Sequence, residues 1–247
     1  MKKVIIIPAR LDSSRLPKKV LLDLKGKTVI QRVYEQCLKV KNVDGVYVAT
    51  DSIEIKEVCE TFTNNVIITK STHKSGTDRI GEAVSAIDCD IVINVQGDEP
   101  FIEPSLIEAL VNSFSNSEIS MSSAMSKINN VKDLQNTNVV KVVTDLHNNA
   151  LFFSRSLIPF PRDVKEISSA NEVIEESQFF RHIGIYGYRK DFLLHFVNLK
   201  QSYLEKVEKL EQLRALENGF KIKMIEANSS LIGIDTQEDY EEALKKY

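Results

Sequence analysis

The sequence predicts an α/β protein built on a mostly parallel, doubly wound sheet. Two near-continuous apolar runs, Val4–Ile7 and Ile91–Val95, read as strands buried on both faces. Between them, strand-like and helix-like stretches alternate in a βαβαβ rhythm. The 247 residues suit one large α/β domain, or a domain with a sizeable insertion, and can bury a full core.

Pro8 ends the first strand. The loop after it, Ala9–Lys19, carries Arg10, Arg15, Lys18 and Lys19 together with the hydroxyls of Ser13 and Ser14. A loop at that place is where α/β folds grip phosphates, and Arg and Lys supply the donors. It has neither GxGxxG nor the Walker lysine motif, which argues against dinucleotide binding and P-loop chemistry. Read alone, the loop is also compatible with a solvated basic turn. Thr28 is placed to cap an amphipathic helix over Val29–Lys39. Val46–Ala49, Ile53–Thr61 and Val66–Thr69 follow as strand, helix and strand.

His73–Arg79 leads into a helix that runs through Ile87. Gly76 permits close backbone approach there, and the exposed amides at the helix start can meet a polar ligand; the plainer alternative is that Thr77 or Asp78 simply caps the helix. The Ile91 strand breaks at Gly97 and delivers Asp98 and Glu99 to its carboxyl end. Ligands bind on that side of open α/β sheets, so an acid there is a candidate cation holder. An acidic surface turn is the plainer alternative. Ser105–Phe114, entered after Pro104, is a sheet-covering helix.

The middle of the chain changes character. Ile119–Met125, Asn138–Thr144 and Leu151–Phe153 are expected strands, and residues 163–177 an irregular, mobile surface loop. His182–Tyr188 alternates as a strand, with His182, Gly184, Tyr186 and Tyr188 on one face. His182 and Tyr186 then either line a pocket together or pack in a core. Leu204, Val207, Leu210, Leu213 and Leu216 mark one helix that carries Glu211 and Gln212 and ends at Gly219. Lys221–Glu226 is a late strand. Asp235 follows a second apolar run, and it or Thr236 caps a terminal helix over Gln237–Tyr247.

Composition bounds the function. Lys plus Arg number 32 and Asp plus Glu 35, a formal net charge of −3. That disfavours nucleic acid or an anionic membrane as general partner. Cys37, Cys59 and Cys89 form no CxxC pair and read as buried thiols in a reducing compartment. The apolar stretch before Pro8 is too short for a signal peptide, and no run approaches a membrane span. A cytoplasmic location is expected.

Ile7-Pro8-Ala9-Arg10 with Ser13, Arg15, Leu16-Pro17 and Lys19 resembles the N-terminal signature of sugar-activating cytidylyltransferases. Ser75–Arg79 and Asn94–Pro100 extend the likeness. His182–Tyr188, Leu210–Arg214 and Gly233–Thr236 narrow it. Together, in order and at matching spacing over residues 4 to about 240, they resemble the 3-deoxy-manno-octulosonate (Kdo) cytidylyltransferase family. The resemblance implies transfer of CMP from CTP to a 2-keto-3-deoxy sugar acid, with loss of pyrophosphate, for lipopolysaccharide biosynthesis. It implies a three-layer, Rossmann-like nucleotidyltransferase fold, Mg²⁺ as cofactor and a homodimer. One cytidylyltransferase domain over residues 1–247 is expected, with about 120–190 forming a smaller β-containing region for dimerisation and sugar binding.

The resemblance also implies residue roles. Arg10 and Lys19 hold CTP phosphates with Ser13 and Arg15 nearby. Pro8, Ala9, Ser75, Gly76 and Arg79 surround the nucleotide. Asp98 and Asp235 hold Mg²⁺. Gln96, Arg155, His182, Tyr186, Glu211 and Gln212 meet the sugar acid. Arg10, Lys19, Asp98 and Asp235 form the catalytic set. The chain departs from the family at Lys18-Lys19-Val20, where Gly-Lys-Pro is common. Alternatives are the 8-amino analogue of Kdo, a sialic-acid-type CMP-sugar synthetase, and a non-catalytic nucleotide-binding regulator.

Overall fold

A computed structural model describes residues 1–13, 15–162, 174, 178–227 and 233–247. Ser14 and nearly all of the 163–177 loop lie outside the described residues, as do Leu231 and Ile232 of the late apolar run. The chain divides into two compact units.

The first unit comprises Met1–Ser115, Ile185–Val197 and Leu231–Tyr247. Its parallel strands are β1 (Lys3–Ala9), β2 (Gly45–Thr50), β3 (Val66–Ile68) and β4 (Ile91–Asn94), in the order β3-β2-β1-β4. Register pairs Ile5 with Val46 on one side and with Ile93 on the other. Ile5, Ile6, Ile7, Val92 and Ile93 have no solvent exposure, as continuous apolar strands require. Strand order reverses between β1 and β4, and such a switch point opens a crevice at the carboxyl ends of the strands.

Helices α1 (Val29–Cys37), α2 (Ile53–Glu60), α3 (Gly76–Ser85) and α4 (Pro104–Ser113) cover this sheet. Thr28 caps α1 as expected. Ser75, rather than Thr77 or Asp78, caps α3: its Oγ accepts from Asp78 N at 3.1 Å. Thr77 is buried. Helix α6 (Lys190–Phe196), unexpected from the sequence, packs against α3, and Val197 beyond it nearly touches Gly81. Helix α9 (Gln237–Lys246) is capped by Thr236, with Asp239 closing a capping box.

The second unit comprises Asn116–Gly184 and Asn198–Ser230. Strand β5 (Met121–Lys127) runs parallel to β9 (Lys223–Glu226). Strand β6 (Lys141–Thr144) pairs antiparallel with β7 (Ala150–Ser154) and with the start of β8 (Phe180–Arg189). The second half of β8 belongs to the first unit, antiparallel to β4 with Asn94 opposite Tyr186. Helix α5 (Val131–Gln135), also unexpected, is capped by the Asn130 side chain.

The single helix expected over the leucines 204–216 is two. Helix α7 (Tyr203–Glu208) ends at Lys209, which turns left-handed at φ 55° and ψ 45°, and α8 (Leu213–Glu217) starts after a short bend. Leu210 and Leu213 stay buried through the bend. Glu211 sits in the connection and Gln212 at the mouth of α8, not on one long helix. The break turns Arg214 back onto Glu205. Gly219, at φ 80°, ends α8 as expected.

Candidate active site

In the first unit a cleft of about 180 Å³ opens at the carboxyl ends of β1 and β4. It is lined by Pro8 and Ala9 at the end of β1 and Arg10 just beyond, by Lys19, by Ser75, Gly76 and Arg79 of the α3 start, and by Gln96 to Asp98 after β4. Two glycines let its walls close up. A Cβ on Gly97 would come within 3.0 Å of the Pro8 carbonyl oxygen, and one on Gly76 within 3.3 Å of Pro8 Cγ. The strand ends and the helix start therefore approach more closely than a side chain at either glycine would allow.

Two acids converge there although they lie far apart in the chain. Ile234 N donates to the Asp98 carbonyl at 2.8 Å, which ties the segment before α9 to the end of β4. Leu16, Leu24, Val29, Ile234 and Ala243 anchor it from below as one apolar cluster. Asp98 and Asp235 then share a cation: Lys19 Nζ donates to Asp98 Oδ2 and, at 2.6 Å, to Asp235 Oδ1. Arg15 Nη2 adds a contact to Asp235 Oδ2 at 2.9 Å. Burial works against the Lys19 charge, yet Asp98 and Asp235 outweigh it and hold the amine above its usual range. Burial likewise opposes the Asp235 charge, and Lys19 and Arg15 overcome it, holding the carboxyl below its usual range. Beside them burial pushes Glu99 up to about 8, reinforced by Asp98 and Asp235.

The donor set suits a hard divalent cation. Asp98 and Asp235 offer carboxylate oxygens around one position now spanned by an ammonium, and among the described residues nothing hydrogen-bonds the buried Glu99 Oε2. Among the described residues no group of three or more His, Cys, Asp or Glu is arranged to hold a metal alone. Mg²⁺ commonly takes one or two carboxylates and completes its shell with phosphates and water, so two acids that meet beside an open cleft match the protein's share of such a shell.

The remaining expected residues fall into separate groups. Arg79 reaches the cleft wall, but its guanidinium is committed to Thr69 Oγ1 at 2.6 Å and Asp51 Oδ2 at 2.9 Å. Arg10 is exposed at the rim, and Ser13 is half-buried outside the lining. Gln96 donates to Asn94 Oδ1 at 3.2 Å. Tyr186 stacks beside Tyr188, with ring centres 6.0 Å apart.

In the second unit His182 and Gln212 do come together. Gln212 Nε2 lies 3.4 Å from His182 Nδ1, and His182 Nε2 lies 2.8 Å from Ser123 Oγ. An amide that donates to Nδ1 assigns the proton to Nε2, which then donates to Ser123. Glu211 lies 3.6 Å from Arg214. Arg155 bonds to Glu208 and Thr137. Sequence reasoning assigned no role to Glu208 or Lys141 and placed Arg214 only within a motif; the contacts of each appear only in the fold.

Burial pushes His182 down to about 3. A His in the unfolded chain titrates near about 6.5, so unfolding takes up protons and stability falls as pH drops from there toward the folded value. His182 ring resonances are expected to stay fixed between about pH 8 and 5 in NMR titrations. A titration midpoint inside that window would show the ring to be solvated or paired with an acid.

The cytidylyltransferase family profile matches residues 4–224. A Francisella tularensis subsp. holarctica 3-deoxy-manno-octulosonate cytidylyltransferase is 50% identical over 248 residues, covering 98% of this chain and 97% of that one. The Geobacter metallireducens protein of the same name is 44% identical, covering 100% and 98%. A solved CMP:2-keto-3-deoxy-manno-octonic acid synthetase complexed with CTP superposes with a TM-score of 0.91 at 38% identity, covering 100% of this chain and 98% of that one. A 4-diphosphocytidyl-2C-methyl-D-erythritol synthase from Anaerococcus prevotii, 16% identical with a TM-score of 0.62 and covering 99% and 95%, shares the fold. With relatives this similar along nearly its whole length, and with the three-layer α/β architecture in common, the chain belongs to the 3-deoxy-manno-octulosonate cytidylyltransferase family.

Proposed function

We propose that this chain transfers CMP from CTP to the anomeric hydroxyl of Kdo, releasing pyrophosphate and supplying CMP-Kdo for lipopolysaccharide biosynthesis. The observation that carries the reading is the meeting of Asp98, Asp235 and Lys19 at the carboxyl ends of β1 and β4, beside Arg10 and the Ser75-Gly76 backbone.

In-line phosphoryl transfer is mostly positioning and charge neutralisation. Arg10 and Lys19 are assigned to the phosphates and to the leaving pyrophosphate, and Ser13 and Arg15 flank them. Pro8, Ala9, Ser75 and Gly76 shape the nucleotide cleft. Arg79 holds the cleft wall through Thr69 and Asp51. Asp98 and Asp235 would hold Mg²⁺, which when bound offsets phosphate charge and lowers the pKa of the attacking hydroxyl. Gln96, Arg155, His182, Tyr186, Glu211 and Gln212 are carried over from the family motifs as sugar contacts. His182, with a pKa pushed down to about 3, serves as a hydrogen-bonding group and not as a base. The buried thiols need no role: burial holds Cys37 well above the usual thiol range and, with the nearby Glu60 carboxylate, pushes Cys59 up to about 12.

The decisive assay measures pyrophosphate release from CTP and Mg²⁺ with Kdo, with 8-amino-3,8-dideoxy-manno-octulosonate and with sialic acid. Release with Kdo above the other two supports the reading. Preference for the amino sugar reassigns the substrate, and release with none favours a regulator. The two adjacent lysines separate in the same assay. Lys18 turns left-handed at φ 55° and spends its ammonium on both Glu54 oxygens at 2.8 Å, whereas Lys19 faces the cleft. Lys19→Ala is expected to raise the KM for CTP by about tenfold or more, and Lys18→Ala by less than about threefold.

A homodimer and a cytoplasmic location complete the proposal. Exposed Leu146, Leu151 and Phe160 on the second unit favour self-association, which sedimentation of the purified protein tests. Three free, buried cysteines suit a reducing compartment. No described helix is long and apolar enough to cross a membrane.

A further inference from the structure

The second unit holds a cation with no solvent exposure. Lys141, on β6, is 0% exposed. Its ammonium donates to three main-chain carbonyls: Asn136 at 2.9 Å, Val139 at 2.8 Å and Arg155 at 2.7 Å. An ammonium has three N–H donors, so the set is complete. Neutral carbonyls replace water around the charge without cancelling it. Burial and the neighbouring Arg155 both work against the charge and hold the Lys141 amine below its usual range.

The residue whose carbonyl Lys141 grips is held from the other side as well. Glu208, the last residue of α7, accepts from Ser154 Oγ at 2.6 Å and from Arg155 N at 3.0 Å. Its own carbonyl accepts from Arg155 Nε at 2.8 Å, and the Thr137 carbonyl accepts from Nη1 at 3.1 Å. Arg155 is thus fixed at carbonyl, amide and guanidinium. Among the described residues nothing accepts from Nη2. Two cations and one carboxylate meet here, so the group carries a net positive charge with one guanidinium edge still able to donate.

We propose that Lys141 and Glu208 are positioning residues that hold Arg155 as an arm for a substrate oxyanion, either the carboxylate of the sugar acid or a phosphate of CTP. The inference rests on the reading that this chain uses those two substrates. Lys141 contributes both the fixed carbonyl and the unneutralised charge. Rigid support of this kind is what a guanidinium needs to meet an oxyanion in one geometry.

The test uses Lys141→Met, Arg155→Ala, the double variant and Glu208→Gln in the full-length protein. Titration calorimetry with CTP and with the sugar acid, each alone, reads the arm without turnover. Steady-state KM and kcat accompany it. Arg155→Ala is expected to weaken one substrate by about tenfold or more, and Lys141→Met to weaken the same substrate. Adding Lys141→Met to Arg155→Ala should change binding by less than about twofold, the mark of a residue acting through its partner. A loss confined to the sugar acid identifies the carboxylate, and a loss confined to CTP identifies a phosphate.

Undiminished loss from Lys141→Met in the Arg155→Ala background overturns the proposal, as does a fall in melting temperature with both affinities intact. Should Lys141→Met fail to fold, Glu208→Gln is judged by the same comparison. Wild-type turnover with an indifferent Arg155→Ala would sink this inference alone. Absence of wild-type turnover with any sugar acid would sink the proposed function, while the calorimetric comparison still reports on the arm.

Discussion

Asp98→Asn and Asp235→Asn are each expected to lower kcat by at least about 100-fold, near 2.7 kcal/mol of transition-state stabilisation. Each change keeps the shape and removes one charge from a pair that shares a single cation. An amide oxygen is a poorer ligand for Mg²⁺, and it leaves Lys19 with one carboxylate where it had two. CTP binding should weaken less than turnover falls, because Arg10 and the Ser75-Gly76 backbone remain. Pyrophosphate release at saturating Mg²⁺ with CTP titrated separates the two quantities. Rates within about threefold of wild type in both variants would remove these acids from the chemistry.

The second large effect is on stability. Arg214→Met should destabilise the protein by roughly 3–5 kcal/mol and lower its melting temperature by about 10 °C. Arg214 and Glu205 form a two-point pair, Nε to Oε2 at 2.9 Å and Nη2 to Oε1 at 2.6 Å, with side chains only 9% and 5% exposed. Removing the guanidinium strands a buried carboxylate, and most of the cost is the desolvation of that orphan. Replacing both residues by Met should therefore recover much of the loss. Thermal unfolding by circular dichroism checks both steps, and a double variant as unstable as the single one would place the cost in packing. Glu211 also loses its nearby charge in Arg214→Met, so the KM for the sugar acid should rise alongside.

What was legible in the sequence follows from what each signal measures. Val4–Ile7 and Ile91–Val95 declared buried strands because two-sided burial favours near-continuous apolar runs, and every residue of both is buried. Thr28 and Thr236 declared caps because a hydroxyl before a periodic run has a local reason to be there. The loop-rich first half of the cleft was legible for the same reason: Arg10, Lys19, Ser75, Gly76 and Asp98 sit at element ends. The helix over 204–216 was misread because leucines every third residue fit a helix whether or not it is broken. Its break is made by a lysine at positive φ, with no glycine to announce it. Lys141 was invisible because lysine is ordinarily a surface residue, and only three carbonyls gathered from other turns make its burial tolerable. That Asp235 would bond to Lys19 lay beyond any local signal.

That last contact also ties the two ends of the chain together. Asp235 follows Lys19 by 216 residues, and its seat depends on Ile234 and Ala243 closing over Leu16, Leu24 and Val29. A ribosome-bound chain has made the strands, the basic loop and Asp98 long before it makes the segment that completes the acid pair. Until then Lys19 has one carboxylate partner and the apolar cluster lacks its cover. A contact between residues so far apart must offset its loop-closure entropy before it can form. On the proposed role of the two acids, a nascent or C-terminally clipped chain would shape the cleft yet lack Asp235, which would couple the onset of activity to the finished fold.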